Sequence, residues 1–324
     1  MLTYISKKIK SIFFALGSLK SKFFYKYNLS CIQVLKLQSI LRGRMLAKIS
    51  VTDNHMHIDS RARGLEAVKE FQNSGGTHII LVTKPSWSLG VTIKKPEDYI
   101  TIFDETIEIG SKIKKMGVEA FPVLGVHPAE ISRLIEHMEL QEAMEIMKKG
   151  LEIASEYVEK GLAVGIKSGR PHYPVTAEVW ATSNEIMEYA FLLGKEQDCA
   201  VQLHTENVGE SELQDITERA KRTGIKLYRV VKHYSPPMIS VCEELGLFPG
   251  VICFKGAIEQ ALEEGTRFMM ETDYIDDLDR PGAVLGPKTI PKRTMKLMET
   301  YGEEPFWIVH KDNPEKVYNI EIEV

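Results

Sequence analysis

The sequence predicts an α/β protein built as a (β/α)8 TIM barrel. Three observations carry that prediction. From Met45 onward, eight short apolar runs alternate with longer amphipathic stretches. The runs are apolar nearly throughout, as parallel strands buried on both faces require. The first run also ends in histidines, where a doubly wound open sheet, the alternative architecture, would usually carry a glycine-rich phosphate turn.

The strand candidates, in order, are KISVTDNHMHI, THIILVTK, EAFPVLGVHP, LAVGIK, CAVQLH, LYRVVKH, LFPGVICF and RFMMETD, most of them followed within a few residues by Gly, Pro, Ser or Asn. The fourth reads as a strand from Leu162 to Ile166 that ends on Lys167. Residues 97–116, 139–160, 176–197 and 209–223 place apolar side chains at i, i+3 and i+4, which predicts helices. Residues 62–74 and 235–246 are shorter examples, and a last helix is expected from Lys292 to Tyr301. A ninth element, HKDNPEKVYNIEIEV, packs at the end. Residues 45–324, about 280 in all, suit one barrel, and no repeat, low-complexity run or linker divides them.

Composition is that of a soluble globular protein, 44% hydrophobic. The four cysteines, Cys31, Cys199, Cys242 and Cys253, form no Cys-x-x-Cys pair. Reduced thiols and a cytoplasmic location are the expectation. Residues 1–44 hold nine Lys/Arg and no Asp or Glu, whereas the whole chain carries a net charge of −4. The remainder is therefore distinctly acidic. That argues against broad, nonspecific nucleic-acid binding and leaves room for a local basic groove. The basic N-terminal extension, 1–44, reads as a disordered segment or as the product of a start set upstream of Met45. An interfacial amphipathic anchor is a weaker reading. Its apolar stretch, SIFFALGS, is short for a signal peptide. No run of about 18 apolar residues predicts a membrane span.

The chemistry lies in what the strands end with. The first ends DNHMHID, and residues two apart in a strand share a face, so His55 and His57 can reach one ion. The fifth ends at His204, the sixth at His233 and the eighth at Asp273. Barrel chemistry sits at the C-terminal ends of strands, so these five side chains should converge there. Neutral imidazole and carboxylate suit zinc and related divalent ions. A strand-end histidine alone is more often a hydrogen-bonded structural group than a ligand, and Asp273 alone could cap the following turn; the set, distributed over four strand ends, reads as ligands. The acidic residues 276–279 read as a solvated loop.

The pieces DNHMHID, LGVHPAE, GRPHYPV, VQLHTE, KHYSP, METDYIDD and DNPEKVYNI span residues 53 to 320. Together they resemble the amidohydrolase superfamily, and in their finer wording its TatD branch of metal-dependent hydrolases, particularly the archaeal-type relatives. The resemblance implies one or two divalent metal ions, Zn, Mg or Mn. His55 and His57 would hold one metal, His204 and His233 a second or its surroundings. Asp273 would ligate the first and serve as general base. His127 would face the leaving group or phosphate, and Arg170 and His172 would line the same mouth. TatD relatives are commonly described as deoxyribonucleases.

One departure stands out against that resemblance. Relatives end strand 4 in Gly-Glu-x-Gly, with the glutamate bridging two metals. This chain reads Gly165-Ile166-Lys167-Ser168-Gly169. A free ammonium only donates hydrogen bonds and repels cations. Lys167 therefore becomes a metal ligand by reacting with CO₂ to give a carbamate, as the resemblance to phosphotriesterase-like branches implies; or it points away to solvent beside a single metal; or the site is impaired. The leading expectation is a divalent-metal-dependent hydrolase acting on phosphodiester bonds. An amide, lactone or phosphotriester hydrolase with carboxylated Lys167 is one alternative, and an impaired barrel serving as a binding scaffold is another. The expected partner is a small-molecule or nucleic-acid substrate, with no stable protein partner evident.

Overall fold

In the computed structural model, which describes residues 49–281 and 283–323, every apolar run becomes a parallel strand. The extension over residues 1–44 lies outside the described residues. The strands are β1 (Thr52–His57), β2 (His78–Val82), β3 (Glu119–Gly125), β4 (Gly165–Gly169), β5 (Ala200–His204), β6 (Val230–Ser235), β7 (Phe248–Ile252), β8 (Met269–Glu271) and β9 (Tyr274–Ile275). They form one sheet in the order β8-β7-β6-β5-β4-β3-β2-β1-β9.

The last two strands are one strand broken in two. β8 pairs with β7, and after Thr272 and Asp273 the chain resumes as β9 on β1. Asp273, at φ 47°, occupies the left-handed region that non-glycine residues seldom visit. The switch of partner closes the sheet into the (β/α)8 barrel.

Helices cover the outside and the base: α1 (Leu65–Asn73), α2 (Asp98–Lys115), α3 (Glu130–Leu134), α4 (Leu140–Glu159), α5 (Ala177–Glu196), α6 (Glu210–Thr223), α7 (Ile239–Leu245), α8 (Ala257–Glu264), α9 (Thr289–Tyr301), α10 (Glu304–Trp307) and α11 (Asn313–Tyr318). The long ones begin and end where their chemistry dictates. Thr176 accepts a hydrogen bond from the Val179 N–H ahead of α5, and the Glu212 carboxylate accepts the Gly209 N–H at 2.7 Å ahead of α6. The apolar stripes of α2, α4, α5 and α6 bury residues such as Phe103, Met147, Phe191 and Ile216 against the outer face of the sheet. Each such side chain contributes roughly 1.5–3 kcal/mol of transfer free energy.

Side chains alternate faces along a strand, and the inner set divides by height. Near the base Ile80, Val82, Val123, Ala200, Val231, Phe248 and Met269 fill the barrel together with Val317 and Tyr318 of α11. Towards the C-terminal end the same faces present His55, His57, Lys167, Gln202, His233 and Glu271, all buried. The apolar layer thus serves as the floor of a polar chamber.

Three details differ from the sequence reading. β4 begins at Gly165, three residues later than expected, so Lys167 sits mid-strand and not at its end. The terminal element is a π-turn over Ile308–Asp312 followed by α11. α3, α8 and α10 are short helices that the apolar spacing did not single out.

Candidate metal centre

Three imidazoles are held with the same nitrogen turned inward. His55 Nδ1–H donates to Gln202 Oε1 at 2.7 Å. The amide orientation is set by its own partners, since Gln202 Nε2 donates to the Asn54 carbonyl (3.0 Å) and to the Tyr318 hydroxyl (2.5 Å). Tyr318 in turn donates to Asn54 Oδ1 at 2.9 Å. His57 Nδ1–H donates to the Val82 carbonyl at 2.7 Å, and His233 Nδ1–H to the Glu271 carboxylate at 2.9 Å. Outer partners of this kind fix the tautomer and leave Nε2 as a free lone pair.

The inward nitrogens then crowd one another. His55 Nε2 and His57 Nε2 lie 3.1 Å apart. Two bare lone pairs repel at that distance unless a cation lies between them. Nitrogens each about 2.1 Å from one ion would span 3.1 Å at a ligand angle of about 95°. Asp273 Oδ1 stands 3.8 Å from both nitrogens. One donor atom each of His55, His233 and Asp273 lies within 4.8 Å of the others, and the rings of His55 and His233 stack at 3.7 Å. The donor set of imidazole and carboxylate fits a divalent ion.

Three further histidines stand beside this group. The His204 ring lies 5.7 Å from that of His233 and 4.6 Å from that of His127. His204 Nε2 contacts His172 Nδ1 at 2.9 Å. His127 differs from the inward set: its Nδ1 accepts the Ala129 N–H at 3.2 Å, so the neutral ring carries its proton on Nε2. That makes it a donor to an oxygen rather than a ligand. The edge of Trp87 meets its ring at 5.3 Å. His172 is exposed at the rim.

Lys167 is 2% exposed on the inner face of β4. Among the described residues its ammonium has neither a hydrogen bond nor an ion pair, and the reading in which it reaches solvent does not hold. Beside it, β4 and β5 approach closely at Gly169, where an added Cβ would fall 1.8 Å from the His204 carbonyl oxygen, at a φ of 146° that only glycine adopts readily.

The expected role of Arg170 at the mouth needs correction. Arg170 is 2% exposed. Its guanidinium donates to Glu206, Asp215 and Asn184 and lies over the Trp180 ring. Its donors are spent inside the protein. Asp276, expected in a solvated loop, is wholly buried. It accepts backbone N–H groups of Asp59, Arg63 and Gly64 and the Tyr274 hydroxyl, which pins the chain after β1 to the chain after β9.

Burial dominates the electrostatics. It holds His55, His57, His127, His204 and His233 well below the usual imidazole value, with neighbouring histidines and Lys167 adding repulsion. All five are neutral at pH 7, the state a metal ligand needs. Burial also raises Glu271, to about 8, and Asp273, while the Lys167 and Lys232 ammoniums pull Asp273 back. Lys167 is pushed down by burial and drawn up by Asp273 and Glu271. A dication in the chamber would favour both carboxylates.

Sequence reasoning missed Glu271, Gln202 and Asn54. Gln202 stands two residues before His204 on the same face of β5, and Glu271 two residues before Asp273 at the end of β8. The period-two rule that joined His55 to His57 would have found both.

A family profile described as TatD related DNase matches residues 52–319. The uncharacterized protein MJ1127 of Methanocaldococcus jannaschii is 39% identical over 286 residues, covering 86% of this chain and 99% of its own length. Among solved structures, the TatD homolog YJJV from Escherichia coli K12 matches with a TM-score of 0.57 at 14% identity, covering 83% of this chain and 98% of that one. A phosphotriesterase from Mycobacterium tuberculosis matches at 0.57 and 16% identity, covering 84% and 95%. At these identities the two structures speak for the fold alone.

Proposed function

The chain belongs to the family of TatD-related DNases, and from that membership we propose that it is a divalent-metal-dependent phosphodiesterase acting on DNA ends. The convergence of His55, His57, His233 and Asp273, with imidazole Nε2 lone pairs inward, carries the reading. These four residues would hold the ion, with His204 at its flank. The bound ion would acidify a water and polarise the phosphoryl oxygen. Asp273, at the strand break, takes the proton of the attacking water. His127 offers its Nε2–H to the leaving oxygen, and the neutral state imposed by burial keeps that proton in place. His172, paired to His204 at the rim, meets the flanking phosphate. Glu271 and Gln202 touch no substrate; they hold His233 and His55 in register.

The test is hydrolysis of short DNA ends by metal-free protein supplied with Zn²⁺, Mg²⁺ or Mn²⁺ in turn, beside His57→Ala and Asp273→Asn. Metal-dependent cleavage lost in both variants supports the reading. Cleavage that survives in either variant, or none with any metal, would sink it.

A second reading has its own support. Lys167 is buried, unpartnered among the described residues and pushed towards its neutral amine, and it is the neutral amine that attacks the carbon of CO₂, forming an N–C bond and releasing one N–H proton. Its carbamate would supply the bridging carboxylate that relatives draw from glutamate, and with it lactone or phosphotriester hydrolysis. Native mass spectrometry decides: the mass of one CO₂, lost in acid and in Lys167→Met, supports the carbamate. Bicarbonate-independent activity without that mass rejects it.

A further inference from the structure

Where β6 and β7 end, an apolar cavity of about 210 Å³ opens beside the candidate centre, lined by Val208, Tyr234, Pro236, Pro237, Ile252 and Phe254 among others. Tyr234 and Phe254 are exposed by 38% and 41%. Their rings meet edge to face at 6.1 Å. The Tyr234 ring also stands 6.0 Å from that of His233, so the cavity begins one ring away from a candidate ligand.

The backbone sets this arrangement. Tyr234 has φ 54°, unusual for a bulky aromatic residue. Two groups hold it there. The Tyr234 N–H donates to the Glu271 carboxylate at 2.5 Å. The buried Lys232 ammonium donates to the His233 carbonyl and reaches that of Tyr234. Such conformations persist only where the surroundings over-determine them, and they gather at functional sites. Here the outcome is a large ring held at the mouth when the ordinary backbone geometry would turn it elsewhere.

We propose that this cavity is a stacking subsite for the base of the nucleotide next to the cleaved phosphodiester. The inference rests on the phosphodiesterase reading of the centre. Every base has a planar, apolar face, and aromatic side chains stack on it with little regard to identity. One ring of the Tyr234–Phe254 pair offers its face and the other its edge, a pairing that aromatic quadrupoles favour. The space is smaller than the usual 300 Å³ or more of a drug-sized site. It has room for one ring system. The acidic body outside the N-terminal extension offers little to the backbone of a long duplex, so affinity must come from contacts of this local kind.

The experiment compares kcat and KM, in the metal-loaded protein, for a short single-stranded oligonucleotide and for one of equal length with abasic ends. Wild type should prefer the natural ends by about tenfold or more, mostly in KM. Tyr234→Leu and Phe254→Leu should each bring the ratio close to one, and Tyr234→Phe should keep it. Leucine variants that retain the wild-type preference overturn the subsite, and so does a Tyr234→Phe variant that loses it, because the hydroxyl would then be responsible. Should no DNA be hydrolysed at all, the phosphodiesterase reading falls by itself. The subsite is then read from a 2-aminopurine oligonucleotide: quenching on binding that both leucine variants abolish supports it, and no quenching in wild type overturns it.

Discussion

Gln202→Leu removes the acceptor that fixes His55 while keeping the volume of the side chain. Gln202 is wholly buried, and the change orphans the His55 Nδ1–H and deprives the Asn54 carbonyl and the Tyr318 hydroxyl of a donor. One orphaned buried donor costs about 1–3 kcal/mol, and each lost acceptance less, so a stability loss of about 2–3 kcal/mol is expected in the metal-free protein. The larger consequence is for the ion. With no acceptor at Nδ1 the His55 proton can move to Nε2, the atom that should bind. Partners of this rank are worth about 10–100-fold in metal affinity, equivalent to about 1.4–2.7 kcal/mol. Competition with a chelating dye measures affinity, and urea unfolding of the same sample measures stability. Tyr318→Phe is the comparison: it removes only the far end of the chain of hydrogen bonds, and its effect on affinity should be much smaller. A folded Gln202→Leu protein that binds metal as tightly as wild type would refute the account of how His55 is held.

Further expectations follow from the same geometry. Asp273→Asn should fold, since asparagine tolerates the left-handed φ of 47°, yet lose about 10²–10⁴-fold in rate for want of a base, measured by single-turnover hydrolysis. Gly250→Ala places a Cβ 2.2 Å from Glu271 Oε2; because that carboxylate is pinned by Tyr234, His233 and Asn54, metal affinity should fall by about tenfold while equilibrium unfolding shows a modest loss of stability. His310, below the barrel, accepts the Thr52 N–H and is lowered from 6.5 to about 4 by burial. Its unfolded form binds the proton first, so its contribution is complete above pH 6.5 and drains away as pH falls towards 4. Between pH 6.5 and 5 this amounts to about 2 kcal/mol, and urea titrations of His310→Asn should show a pH slope shallower than wild type by that amount.

The barrel was legible because alternation of apolar runs and amphipathic helices is a direct record of burial on two faces. The ligand candidates were legible because they stand at strand ends. The misplacement at β4 has a physical cause: Gly165, Lys167 and Gly169 all face inward, and none is apolar enough to extend the run, so composition put the end of the strand where the polar chamber begins. Arg170 illustrates a different limit. An arginine beside a predicted mouth looks like a substrate anchor until Glu206 and Asp215, 36 and 45 residues away, are seen to meet it. Nothing local in the chain announces such pairs. Asp276 is the same case, an acid in an acidic stretch whose partners are backbone N–H groups of residues more than two hundred positions earlier.

Tyr318, in the last helix of the described residues, accepts a hydrogen bond from the amide that orients His55 and donates one to Asn54, 264 residues earlier in the chain. The polar chamber and the apolar floor beneath it are therefore joined by one chain of hydrogen bonds, so the docking of α11 and the posture of His55 are a single packing problem. Without its hydroxyl the Tyr318 ring would still fill the floor, and Gln202 would still hold His55 through the Asn54 carbonyl.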